Sequence, residues 1–287
     1  MNIRSDWHIH THNSCDDASL TMSDLLSGAA AAGITDFGVT DHLHTPFNLP
    51  DIIASRREFD SVSPGPSVHF GIEVSVVSEW ELGEIAAGKH ENPVYGVREG
   101  GPPAAAMALG LKDDDRSRLG IEYVVGGTHW PLYVEWTPEA IIADYHRQNM
   151  FLATHSMVDI VAHPWWWMGR WQDPATGMYL TYPWLDDFGR IPSSMHDEFA
   201  AAVVASGKKV EINIGAMILN PGYSEKFKRQ YVEYLALLQE KGVALCAGSD
   251  CHSVSYDPDW GGAQEILETG GVDLSGLWML QPRLVRM

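Results

Sequence analysis

Positive charge is scarce in this chain. Only 19 Lys and Arg stand against 38 Asp and Glu in 287 residues, a formal net charge of -19. Such a surface repels a phosphate backbone, which argues against a nucleic-acid partner. Cysteine is scarcer still. Cys15, Cys246 and Cys251 are an odd number in a chain long enough to bury a core without staples, so a disulfide framework is not expected. No apolar run approaches the roughly 20 residues that a bilayer crossing needs, and Met1 to Asp6 lacks the apolar stretch of a secretory leader. A soluble, cytoplasmic protein with no membrane partner is expected; composition says nothing of its oligomeric state. What the chain has in excess is 13 His and 11 Trp.

Length and patterning predict one large α/β domain over residues 1–287. Short β-rich runs alternate with helical patterns, as in βα repeats around parallel strands. Seven strands are expected, at Ile3–His10, Asp36–Thr40, Val68–Val77, Tyr123–Gly126, Asp159–Ala162, Lys209–Ile214 and Ala244–Gly248. Helix signals lie between them. Thr21 and Asp24 open a helix over Met22–Ala32 that Gly33 ends, and others begin near Pro50 and Thr137. Further helices are expected near Ser194–Ser206, Ser224–Lys241 and Gly261–Glu268. Two stretches break the rhythm. Glu79–Arg118, with Gly100-Gly101-Pro102-Pro103 and an acidic run, reads as a partly ordered insertion, and 164–192 reads as a Trp-rich loop.

On this map the His and carboxylate residues fall at strand ends. His8 and His10, two apart, share one face of the first strand and can converge on one ion. Asp41-His42 follows the second strand, Glu73 lies in the third, His129 and His163 follow the fourth and fifth, and Asp250 and His252 follow the seventh. Each motif alone is weak, because a lone strand-end His is commonly a hydrogen-bonded core residue. Their coincidence at the end where a parallel barrel builds its active site points to metal. Imidazole and carboxylate together suit Zn²⁺, Mn²⁺ or Fe, and the donors outnumber what one ion can use, so two to three divalent ions are expected.

The ordered motifs His-x-His, Thr-Asp-His, Gly-x-Glu, Gly-Gly-Thr-His, Ala-His-Pro, Glu-x-Asn and Gly-Ser-Asp-x-His resemble the polymerase and histidinol phosphatase (PHP) superfamily, in particular its histidinol-phosphatase-like branch. The resemblance spans His8 to His252. It implies a distorted seven-stranded (β/α) TIM-like barrel with a trinuclear metal site, and a phosphoesterase acting on a small phosphorylated molecule. Carried over by motif, His8, His10, Glu73 and Asp250 hold one ion, Glu73 bridges to a second with His129 and His163, and a third takes His42 and His252. The remaining ligand matches Asp16, with Asp17 as the alternative. A hydroxide shared by such ions is a nucleophile at neutral pH, so no Ser or Cys nucleophile is required.

Around these ligands, Asp250 is a candidate for proton handling and Asp41 for orienting His42. His12 and His44 are candidate proton donors or loop residues at the barrel mouth. Trp165 and its neighbours read equally as rim packing or as an apolar wall for substrate. Arg170 is the nearby cation and Asn213 a possible substrate hydrogen-bonding group. The aromatic residues after Ala-His-Pro depart from the polar or basic ones of the histidinol-phosphatase pattern, which places histidinol phosphate itself in doubt. Hydrolysis of an amide or lactone on the same barrel, or metal binding without catalysis, are the alternatives.

Overall fold

The computed structural model describes residues 3–167, 184 and 187–280. Its strands are β1 (Ser5–Asp6), β2 (Asp36–Val39), β3 (His42–Leu43), β4 (Val68–Ser78), β5 (Met107–Leu109), β6 (Tyr123–Gly127), β7 (Ile160–Ala162), β8 (Lys209–Asn213) and β9 (Ala244–Gly248). The helices are α1 (Met22–Ala32), α2 (Leu49–Ser61), α3 (Glu79–Ala86), α4 (Asp113–Arg118), α5 (Pro138–Thr154), α6 (Ser193–Ser206), α7 (Glu225–Glu240) and α8 (Trp260–Thr269). Caps set several of their boundaries. Thr21, Thr137 and Ser224 accept backbone N–H bonds at the starts of α1, α5 and α7, and Gly33 and Gly207 end α1 and α6 with φ of 75° and 69°.

Seven parallel strands, in the order β1-β2-β4-β6-β7-β8-β9, form a nearly closed α/β barrel of the TIM-like type. The seam between β9 and the N-terminal segment is bridged by Trp7 N–H to Ala247 O (2.9 Å), His10 N–H to Cys251 O (3.1 Å) and a parallel bridge between Ile9 and Cys251. The first strand is shorter than Ile3–His10. After Asp6 the backbone alternates its bonds between the two sides, with Thr40 N–H donating to Ile9 O, and the regular ladder is lost there.

Glu79–Arg118 folds as α3, β5 and α4, and β5 pairs antiparallel with the far end of β4. Ser78 caps α3 through a reciprocal box with Glu81. The core lies mainly between barrel and helices, and a separate apolar cluster of Trp7, Tyr123, Val125, Ile160, Ala162 and Cys246 fills the barrel interior, with Trp278 and Leu280 packed against it. The acids and imidazoles described next lie at the carboxyl ends of the strands.

Candidate metal centre

β4 is buried along its whole length and carries Glu73, fully buried, into the middle of the carboxyl end. Five imidazoles surround that carboxylate. Glu73 Oε2 lies 3.1 Å from His8 Nε2, 2.9 Å from His42 Nδ1 and 3.5 Å from His10 Nε2, and Oε1 lies 3.1 Å from both His129 Nε2 and His163 Nε2. Asp250 Oδ1 sits 3.2 Å from His10 Nε2 and 3.4 Å from His8 Nε2. On the outer side Asp16 Oδ2 is 2.7 Å from His252 Nε2 and 3.1 Å from His42 Nε2, while Asp17 is exposed. The structure thus gathers His8, His10, Asp16, His42, Glu73, His129, His163, Asp250 and His252 around one cavity of about 160 Å³ or its immediate wall.

Backbone geometry contributes. His163 and Asp250 adopt positive φ (26° and 55°), a sparsely populated conformation that aims both side chains inward where extended backbone would carry them past. Gly127 leaves room for the nest, since a Cβ there would lie 2.6 Å from His129 Cε1 and 2.7 Å from Glu73 Oε1.

The outer ring nitrogens are tied down. His8 Nδ1 donates to Glu211 Oε1 (2.7 Å), His129 Nδ1 lies 2.8 Å from Ser75 Oγ, and His252 Nδ1 bonds the Asp250 carbonyl (2.8 Å). That pattern fixes ring orientation and leaves Nε2 facing inward, as metal-ligating His residues do. His8 Nε2, His10 Nε2, His42 Nδ1 and Glu73 Oε2 are buried and approach one another without hydrogen-bond geometry. Lone pairs aimed at shared points, in four groups of three or four donors each within 4.8 Å, fit divalent cations bound by N and O ligands.

The acids and imidazoles of the nest also shift one another's titration. Burial opposes protonation of His8, but Glu211, Asp250 and Glu73 outweigh it and raise its pKa well above the usual value. His42 is treated the same way by burial against Glu73 and Asp16, and ends near 10. Burial, followed by the neighbouring imidazoles of His252 and His42, keeps His10 neutral, with a pKa of about 3. Burial likewise lowers His129 to about 4. Glu73 and Asp250 stay ionised: burial raises their pKa, but the surrounding imidazoles bring both well below the carboxylate range.

Other expected site residues lie elsewhere. Asp41 accepts the backbone N–H (2.5 Å) and hydroxyl (2.7 Å) of Thr11, so it builds the turn after the His-x-His pair; both ring nitrogens of His42 face Glu73 and Asp16 instead. His12 is exposed and faces Glu58 at 3.4 Å, outside the cavity lining. Asn213 donates its amide to Glu211 (3.2 Å) and Asp250 (3.0 Å). Trp165, with φ of 70°, turns into a buried cluster with Tyr145, Trp184 and His196; Trp166 is the indole that lines the cavity, 5.5 Å from the His163 ring. Arg170 lies outside the described residues.

Sequence reading gave no role to Glu211, Ser75, Asp6 or Arg98. Asp6 accepts N–H bonds from His8 (3.2 Å) and Ser249 (2.8 Å) and the Tyr256 hydroxyl (2.8 Å), tying the two ends of the barrel seam. Period-two alternation points to Asp6 beside His8 and His10, and to Glu211 beside Asn213. Arg98 gives no local signal.

A parallel α/β barrel with a histidine–carboxylate nest at the carboxyl ends of its strands defines a narrow class of proteins. The PHP domain family model matches residues 6–165, more than half of the chain, and the chain belongs to that family. Among solved structures, a histidinol phosphate phosphatase from Lactococcus lactis subsp. lactis Il1403, complexed with zinc, L-histidinol and phosphate, is similar at 16% identity over 94% of each chain with a TM-score of 0.58, which shows a shared fold. A Xaa-Pro dipeptidase with bound methionine is more remote, at 12% identity, TM-score 0.41, and coverage of 94% of this chain and 72% of its own. No curated protein matches the chain in sequence. No helix among the described residues is long and apolar enough to cross a membrane.

Proposed function

We propose that this chain is a metal-dependent phosphoesterase that hydrolyses a small organic phosphomonoester, using two to three divalent ions of Zn, Mn or Fe. The observation that supports it is the convergence of nine His, Asp and Glu side chains from across the chain on one small cavity and its immediate wall. Bound there, such ions lower the pKa of coordinated water and neutralise charge on phosphoryl oxygens. The chain's own residues supply the frame. Glu73 is shared between ligand groups, Glu211 and Ser75 hold ring orientation, and Asn213 holds Asp250. Asp250, in contact with His8 and His10, is the carboxylate placed to take the proton of attacking water and pass it on. His12 faces Glu58 outside the cavity lining, and this reading gives it no role. Hydrolysis would form a bond from water oxygen to phosphorus, break the ester P–O bond, and return a proton to the departing alcohol.

A second reading is hydrolysis of a lactone or amide. Its support is that the metal-facing cavity has no Lys or Arg among the described residues of its lining. A phosphate-release screen of Mn²⁺- or Zn²⁺-reconstituted protein separates the two. Release from phosphomonoesters is expected; inactivity toward the whole phosphate panel with turnover of lactones or amides would transfer the assignment to the second reading.

A further inference from the structure

The metal-facing cavity does not end at the nest. A second cavity of about 190 Å³ adjoins it, and Asp16, His42, His129 and Trp166 line both, so a molecule anchored at the nest has this chamber as its neighbour. The Glu79–Arg118 segment supplies the far wall. Tyr95 bridges to the loop that carries Asp16 by donating its hydroxyl to Cys15 O (3.1 Å), and Arg98 lies with its guanidinium carbon 3.0 Å from the ring centre of Trp130. Stacking on an indole holds the planar guanidinium in one orientation.

Two chemical features set this chamber apart from the nest. Its walls include the aromatic rings of Tyr95, Trp130 and Trp166, which suit a flat apolar body. Among the described residues its one Arg or Lys is Arg98, which does not line the metal-facing cavity. The imidazoles of His42, His44 and His129 and the carboxylate of Asp16 complete its polar lining. A guanidinium in the chamber adjoining the nest stands where the organic portion of a phosphate held at the nest would extend. It fits a second anionic group on the leaving alcohol.

We propose that this chamber is the leaving-group subsite and that Arg98 selects an aromatic or similarly flat organic phosphate bearing a carboxylate. This rests on the phosphoesterase reading for the reaction, but not for the binding. A planar carboxylate matches the guanidinium fork, and a charge-assisted bond of that kind corresponds to about tenfold or more in affinity.

The test compares phenyl phosphate with 4-carboxyphenyl phosphate as substrates of the metal-loaded protein, and measures 4-hydroxybenzoate binding by calorimetry. Wild type is expected to prefer the carboxylated ester by about tenfold in kcat/KM, mainly through KM. Arg98→Gln should cut that ratio at least about fivefold and weaken 4-hydroxybenzoate binding to match, with Arg98→Lys intermediate. A ratio near one in wild type, or an Arg98→Gln variant that slows both esters alike, overturns the assignment while leaving the phosphoesterase intact. If no phosphate ester turns over, calorimetry decides alone: Arg98-dependent 4-hydroxybenzoate binding upholds the subsite and removes the phosphoesterase reading, and Arg98-independent or absent binding removes the subsite.

Discussion

Inside the barrel Trp7, Tyr123, Val125, Ile160, Ala162 and Cys246 pack into an apolar cluster; one to a few residues further along, His8, His129, His163 and Asp250 turn polar atoms toward the nest. Trp7 and His8 are adjacent in sequence and belong to opposite worlds. At the first end burial is its own reward, because apolar area leaves water and rings meet edge to face, as Trp7 and Tyr123 do at 5.7 Å. At the second end burial is a cost that charge must offset, and the inner faces of His8, His10, His42 and Glu73 lack hydrogen-bond partners. The same strands therefore carry stability at one end and latent reactivity at the other.

The sharpest way to break this contrast is at Glu73. Glu73→Gln removes the carboxylate around which five imidazoles gather, and should cost about 10³- to 10⁴-fold in turnover, or about 4–5.5 kcal/mol in barrier, together with bound metal. Its thermal midpoint in the presence of chelator should stay close to that of wild type. Steady-state kinetics and metal analysis read the first effect, and a melt reads the second.

Trp7→Ala is the converse. Truncating a fully buried indole should destabilise the fold by about 3–5 kcal/mol in denaturant unfolding, while the folded fraction keeps its full metal content. Equal loss of metal in that fraction would show that the two ends are not separable.

Acid separates a structural imidazole from the proposed ligands. His196 is buried between Phe188 and Tyr234, and burial, aided by His146, lowers its pKa to about 4. Below pH 6.5 the unfolded chain takes up a proton that the folded chain refuses, so this group's contribution is present above 6.5 and is lost as pH falls through about 4. The loss should reach about 3 kcal/mol. His196→Phe should remove it from a pH series of urea midpoints, yet leave the acid loss of metal binding, which requires neutral imidazoles at the nest.

The smallest expected effect belongs to Glu211, which orients His8 from behind and accepts the His163 N–H. Glu211→Gln should weaken metal binding by about 10- to 100-fold, measured by competition with a chelator. Affinity unchanged within twofold would mean that ring orientation is set elsewhere.

Much of this was legible in the residues. His8 with His10, Asp250 with His252, and the strand-end positions of His42, His129 and His163 follow from alternation and strand order, and the helix boundaries follow from caps such as Thr21 with Gly33. The rest depended on geometry that local sequence does not encode. Positive φ at His163 and Trp165 decides that Trp166 lines the cavity and Trp165 joins the core. Asp41 looked like a partner for the ring beside it, but the loop brings Thr11 closer. Arg98 reaches the mouth only because β5 pins its segment to β4 and Trp130 waits under it, contacts between residues far apart in the chain.

The most direct test is elemental analysis of the purified protein after reconstitution with Mn²⁺ or Zn²⁺. Between two and three tightly held ions per chain are expected, as the donor count requires. Less than one ion per chain after reconstitution would contradict the account, because the imidazoles and acids around Glu73 would then be serving some purpose other than holding metal.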